Sequence, residues 1–289
     1  MLIRIGFDVS FQLYAPTPML LMLYTHPTRG GSLLVPERIQ TDPFMPISTF
    51  TDSFGNRCGR ILAPPGRLRL WHEGLVRDTG LPDPVNPSAM QWSIDDLPPD
   101  AIQFLMGSRY CETDRLSEVA WSLFGQTPPG WQRVRAVCDW VHNHVQFGYE
   151  HARPTKTAYD VFQERKGVCR DFSHLFISML RCLNIPARYV TGYLGDIGVP
   201  ICPAPMDFSA WSEVFLDGQW YAFDARHNIP RIGRIVMARG RDAADVAITT
   251  SFGAATLSSF AVVTEEVNEH GNLSVSVVPP QSSGLATAV

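Results

Sequence analysis

The chain has 289 residues, 45% hydrophobic and 18% charged, a mix that suits a folded globular protein and excludes a disordered one. That length can bury one large core or two modest ones. A net charge of -4 forces no basic surface toward nucleic acid, and no nucleic-acid partner is expected.

The first eighty residues read as strands. Ile3, Ile5, Phe7, Val9 and Phe11 alternate with more polar neighbours, the pattern of a strand with one buried face. Pro16 and Pro18 interrupt it, and a second strand is expected over 20–24. Residues 51–74 predict a hairpin, with Gly55-Asn56 near its turn and Leu68 and Leu70 alternating after Gly66. A small all-β, sandwich-like domain over 1–80 follows from these signals. Residues 81–100, rich in Pro, Asp and Ser, predict a linker or crossing segment. The core is expected over 101–280 and a frayed tail over 281–289.

Trp131, Val134, Cys138, Val141 and Val145 recur at steps of three and four, so 131–147 predicts an amphipathic helix. A stronger stripe runs through Cys169, Phe172, Leu175, Phe176, Met179, Leu180 and Leu183, and Asn184 with Pro186 ends it. Strands are expected over 188–194, 210–216 and 219–225. Asp217-Gly218 joins the last two as a two-residue turn, which pairs Leu216 with Gln219 and sets Trp211 opposite Asp224. Ser209 is then a diagonal neighbour of Asp224 on the same face.

Cys169 follows Gly167-Val168 in the first turn of its helix, where free N–H groups favour a thiolate. By position alone its thiol is expected to be modestly more acidic than a free cysteine. Its position on the apolar stripe alone favours a buried structural cysteine. Asp171 is placed to cap the helix or to hold Arg170 or Arg188. Glu213 shares the face of Trp211 and can hydrogen-bond within the core. His174, five residues past Cys169, points away from it, since five steps turn about 500°. His142, His144 and His151 lack ligand spacing and read as ordinary histidines, so no metal and no cofactor are expected. None of the six cysteines forms a C-x-x-C pair. Reduced thiols, a cytoplasmic location and no membrane association are expected, because the N-terminus lacks a signal-peptide pattern.

The blocks GVCRDFSHL, IPARYVTGYL and AWSEVFLDGQWYAFDARHN, with GRDAADVA near the end, resemble the core of the bacterial transglutaminase-like superfamily over about residues 130 to 250. The resemblance implies an α+β, papain-like/transglutaminase-like core: an antiparallel sheet and a Cys-bearing helix, preceded by the small all-β domain. It implies a Cys–His–Asp order in which Cys169 matches the nucleophile and Asp224 the orienting acid. The family's histidine position, just before Ala-Trp, is Ser209 here. A serine hydroxyl takes no proton from a thiol near neutral pH. His227 is the possible substitute base, and Arg226 a possible substitute cation. Strand parity puts His227 opposite Asp224's face unless the strand breaks near Ala225. Asp171 and Trp211 stand behind the site. The implied activity acts on amide or isopeptide bonds of a peptide or protein through a Cys169 thioester, as protease, amidase or acyl transferase. The alternative is a catalytically silent member that binds a peptide or protein. Oligomeric state is not legible.

Overall fold

A computed structural model describes residues 1–268. The chain opens with six strands: β1 (Leu2–Leu13), β2 (Thr17–Leu21), β3 (Gln40–Asp42), β4 (Ser48–Thr51), β5 (Arg57–Ala63) and β6 (Gly66–Arg77). The alternating set Ile3, Ile5, Phe7, Val9 and Phe11 is buried in one core. The hairpin expected over 51–74 divides in two. β4 and β5 form it, with Asp52 Oδ1 accepting from the N–H groups of Phe54 (2.9 Å) and Asn56 (2.8 Å). β6 instead pairs with β1 and β3 in the other sheet. Pro64 and Pro65, which have no N–H to extend a ladder, mark the crossing.

Helices follow: α1 (Pro99–Ile102), α2 (Thr113–Phe124), α3 (Trp131–His144), α4 (Ala158–Glu164) and α5 (Cys169–Cys182). α3 ends three residues before the expected 147, because Val145 turns extended and β7 (Gln146–Phe147) pairs in parallel with β8 (Lys166–Gly167). That pairing ties the end of α3 to the residues just before Cys169. α5 is buried on nearly every side, not along one stripe. Several of its polar residues survive burial through hydrogen bonds. Arg181, for example, donates to the carbonyls of Ala187, Met106 and Arg241.

The sheet behind α5 is antiparallel, in the order β11-β10-β9-β12: β9 (Ala187–Tyr193), β10 (Ser209–Leu216), β11 (Gln219–Phe223) and β12 (Ile235–Gly240). Asp217 and Gly218 both take positive φ (50° and 77°), as a tight hairpin turn requires, and Leu216 pairs with Gln219 as expected. α2, α3 and α4 pack against α5, which itself packs on β9 and β10, and their apolar residues share one core with it.

The last strands, β13 (Thr249–Ser251) and β14 (Ala255–Val267), return to the start of the chain. β14 pairs with β1 along its whole length and β13 with β2, giving two four-stranded sheets, β14-β1-β6-β3 and β13-β2-β5-β4. By hydrogen bonding these strands belong with the sandwich, although the expected division placed 249–267 in the 101–280 core. Hydrophobic alternation is local and does not name a strand's partner. Tyr193, Phe208, Ile235 and Met237 join the sandwich's apolar cluster, so the two layers share buried surface. The expected tail over 281–289 lies outside the described residues.

Candidate active site

Cys169 is the first residue of α5, partly buried, on the wall of a cavity of about 360 Å³. Tyr149, Asp207, Ser209, Arg226 and His227 line the same cavity. The helix start is held by Asp171, whose Oδ2 accepts the Val168 N–H at 3.0 Å while Oδ1 pairs with the Arg170 guanidinium at 3.1 Å. Asp171 thus caps the helix and holds Arg170, not Arg188. Arg188 pairs with Glu213, which also holds Arg239 (2.8 Å).

Asp224 is buried and stands just past the end of β11. The β10–β11 ladder stops at Ser212–Phe223, so the expected Trp211–Asp224 pair is the first step beyond it. This break decides the histidine question. Residues 225–227 form a turn, and His227 swings back onto Asp224. Its Nδ1 lies 2.8 Å from Asp224 Oδ2, and Asp224 Oδ1 accepts the backbone N–H groups of Arg226 (3.1 Å) and His227 (3.2 Å). The parity argument that sets His227 on the opposite face is therefore overturned. Arg234 donates to the same carboxylate at 3.2 Å and lies 5.0 Å over the Trp211 ring. Burial alone would raise the carboxyl's pKa, but the His227 hydrogen bond and the Arg234 charge hold it well below the usual range. The resemblance implies that Asp224 orients a base at position 209; in the structure its carboxylate binds His227 and not Ser209.

The turn carrying His227 is fixed from α3. His142 Nδ1 lies 3.0 Å from the Ala225 carbonyl and 3.1 Å from that of Arg226. Asn228, at φ 57°, is held by Asp139 (2.9 Å), Cys138 (3.3 Å) and Arg135 (3.2 Å). His142, read from the sequence as ordinary, supports this turn. His174 does point away from Cys169: its Nε2 accepts the Ala243 N–H at 3.1 Å and its ring stacks on Tyr110. That contact pins the GRDAADVA segment to α5.

The thiol is not acidic. Burial raises the pKa of Cys169; the Arg226 guanidinium and a hydrogen bond from the Ala210 N–H pull it down, and the Asp207 and Asp224 carboxylates push it up. The net direction is upward, opposite to the mildly acidic thiol expected from helix position. Among the described residues no hydrogen bond joins the sulfur to His227 or to Ser209. Arg226 lies 3.8 Å from the centre of the Phe147 ring, and its charge opposes the burial that raises the Tyr149 pKa. Asp207, two residues before Ser209, has its pKa pushed up to about 6 by burial, against the opposing Phe208 N–H and Arg226. Asp207 and Tyr149 went unread in the sequence. Only the i−2 spacing of Asp207 from Ser209 signals it, and it lies outside the strand where that spacing has meaning.

Comparison with known proteins agrees with this geometry. The model of the transglutaminase-like superfamily matches residues 119–225, which run from α2 through α5 to Asp224 and its neighbour. The crystal structure of a proposed cysteine protease from Cytophaga hutchinsonii superposes with a TM-score of 0.80 at 29% identity, covering 98% of this chain and 94% of that one. An uncharacterized protein of Mycobacterium leprae is 27% identical over 117 residues, 39% of this chain and 42% of that protein. The kyphoscoliosis peptidase of Mus musculus is 27% identical over 119 residues, 38% of this chain. The match spans only 18% of that peptidase, so its likeness is confined to the core. With a cysteine at the start of a buried helix, an antiparallel sheet behind it and an aspartate at the end of the β10–β11 hairpin, residues 119–225 carry a domain similar to the core of the transglutaminase-like superfamily.

Proposed function

We propose that the chain is a thiol-dependent enzyme acting on amide or isopeptide bonds, with Cys169 as nucleophile and a Cys169 thioester as intermediate. The observation that carries this reading is the His227–Asp224 hydrogen bond at 2.8 Å on the wall of the cavity that also exposes Cys169. Asp224 fixes the tautomer of the imidazole by binding Nδ1, which directs Nε2 away from the acid as a proton-transfer group. His227 thereby supplies an imidazole in a site whose family position, Ser209, has none. Its part is to activate the water or amine that resolves the thioester. The Cys169 N–H, the first of α5, has no hydrogen-bond acceptor among the described residues and supplies a donor beside the sulfur for the oxyanion. A peptide or protein is the substrate class that the family and the open cavity support. Six free cysteines support a reducing, cytoplasmic setting.

One observation favours a second reading, a binding protein without turnover: the resting thiol is held neutral by burial. Turnover separates the two. On a panel of peptide amides, the wild type is expected to hydrolyse or transfer an acyl group, Cys169→Ala to do neither, and His227→Ala to lose about 10²–10⁴-fold in rate. A His227→Ala variant as active as wild type would remove His227 from the reaction. Binding without Cys169-dependent turnover would favour the second reading.

A further inference from the structure

Asp224 Oδ2 serves two donors: His227 Nδ1 at 2.8 Å and Arg234 Nη2 at 3.2 Å. Arg234 in turn gives its Nε–H to Asp83 Oδ2 at 2.8 Å. Asp83 lies in the 81–100 segment expected as a linker. Backbone contacts fix it there. Its N–H donates to the Arg231 carbonyl at 2.9 Å, its Oδ2 accepts the Arg231 N–H at 2.8 Å, and Pro82 pairs with Ile232 beside it. The carboxylate therefore cannot follow Arg234 if the guanidinium turns. The Asp83, Arg234 and Asp224 side chains are 13%, 6% and 2% exposed, so water and salt screen these contacts little. A guanidinium is a rigid planar fork, and fixing its Nε at Asp83 fixes how its other nitrogens meet Asp224. Only Nη2 meets it: Nη1 is buried and has no hydrogen-bond partner among the described residues.

We propose that Asp83 is a positioning residue of the site: it restrains Arg234 to a single N–H on Asp224 and so keeps Oδ2 open to His227. The inference rests on His227 being the proton-transfer group of the proposed reading. Two effects act in the same direction. The first is geometric. The Asp83 contact keeps Arg234 from turning both Nη groups onto the Asp224 carboxylate, the two-point pairing that arginine and a carboxylate favour. Asp224 Oδ1 already accepts two backbone N–H groups, so a second guanidinium N–H competes for Oδ2, where His227 is bound. The second is electrostatic. Asp83 balances the Arg234 charge, which leaves the Asp224 charge uncancelled for the imidazole. Without Asp83, the His227 Nδ1–H loses its acceptor. The proton of the neutral ring then moves to Nε2, the tautomer of a histidine without a partner. That puts a donor on the nitrogen that must accept a proton.

A residue that only anchored the 81–100 segment would leave the His227 tautomer alone. Nitrogen-15 NMR of histidine-labelled protein at about pH 8 reads that tautomer without substrate, and His227→Gln assigns the resonances. Wild type is expected to carry the proton on Nδ1. Asp83→Asn keeps an oxygen for the Arg231 N–H but loses the charge, and its His227 is expected to carry the proton on Nε2. On the peptide-amide panel, kcat of Asp83→Asn is expected to fall about 10–100-fold with KM little changed. Adding Arg234→Met removes the competing guanidinium, so the double variant is expected to return the proton to Nδ1. That reversal supports the proposal. A proton on Nδ1 in Asp83→Asn, or on Nε2 in wild type or in the double variant, overturns it. If Asp83→Asn alone does not fold, the double variant decides: folded protein with Nδ1–H supports the restraint of Arg234, and a second failure to fold overturns it. Wild type without Cys169-dependent turnover, or a tautomer shift with unchanged kcat, overturns the assigned role of His227 and leaves the Asp83 restraint to be judged by the spectra.

Discussion

Asp224 shows how one buried residue couples stability to chemistry. Its carboxylate answers His227, Arg234 and two backbone N–H groups at once. A carboxyl whose folded pKa lies below its unfolded value stabilises the fold above the unfolded pKa, and that contribution is lost as pH falls through the folded one. The window here opens below about pH 4 and runs downward. Asp224→Ala also takes one of two carboxylate partners from the buried Arg234, leaving it the 2.8 Å pair with Asp83 and the Trp211 ring. The expected cost at pH 7 is about 3 kcal/mol or more, by urea unfolding, because a buried charge loses one of its partners. The gap between mutant and wild type should narrow as pH drops toward 2.5. A gap that stays constant over that range would show that Asp224 is not ionised in the fold. The residue type was legible in the sequence. Its partner was not, because the parity argument assumed a strand that in fact stops at Phe223.

At the scale of elements, the site depends on how closely β9, β10 and β12 approach. Gly192 on β9 pairs with Ser209 on β10 and Val236 on β12. A Cβ built there would lie 2.2 Å from the Ile235 carbonyl oxygen and 2.8 Å from the Trp211 ring. Both neighbours are fixed, one as backbone and one as the most deeply packed indole of the sheet. Gly192→Ala is therefore expected to push β12 away and to cost about 1–3 kcal/mol, measured by thermal unfolding. The displacement should carry Trp211 and Arg234 with it and reduce acylation as well. A variant with unchanged stability would show that the strands have room the structure does not give them. The Cys169 stripe announced α5 correctly in position. It could not announce that the opposite face is buried too, because Arg170, Asp171, Ser173, His174, Ser178 and Arg181 read as a polar face. Arg170, His174 and Arg181 hydrogen-bond groups distant in sequence, and such partners leave no periodic signal.

The whole molecule is stitched from its two ends. β1, the longest N-terminal strand besides β6, is covered on one edge by β6 and on the other by β14. Removing residues 249–289 would uncover an edge of β1 and of β2 and open the cluster that includes Val262. The truncated chain is expected to aggregate or to lose cooperative unfolding, and residues 1–80 alone are expected not to fold. Circular dichroism and analytical ultracentrifugation of both pieces test this. A soluble, cooperatively unfolding 1–80 fragment would show that the sandwich is independent of its C-terminal strands. The shared burial of Tyr193, Phe208, Ile235 and Met237 gives a second reason for coupling, since that cluster belongs to both layers.

Local physics determined much of this protein from sequence alone. Period-two alternation marked β1, the Asp217-Gly218 turn fixed the β10–β11 register, and the apolar stripe put Cys169 at a helix start. Each of these signals lies within a few residues of the chain. Tertiary structure alone decided three things. It sent β14 back to β1, because an unpaired strand edge specifies no partner. It turned His227 onto Asp224, because α3 holds the turn through His142 and Asn228 from some ninety residues away. It also set Asp207 and Arg226 on the cavity that Cys169 lines, where burial raises the thiol's pKa against the pull of the Arg226 charge.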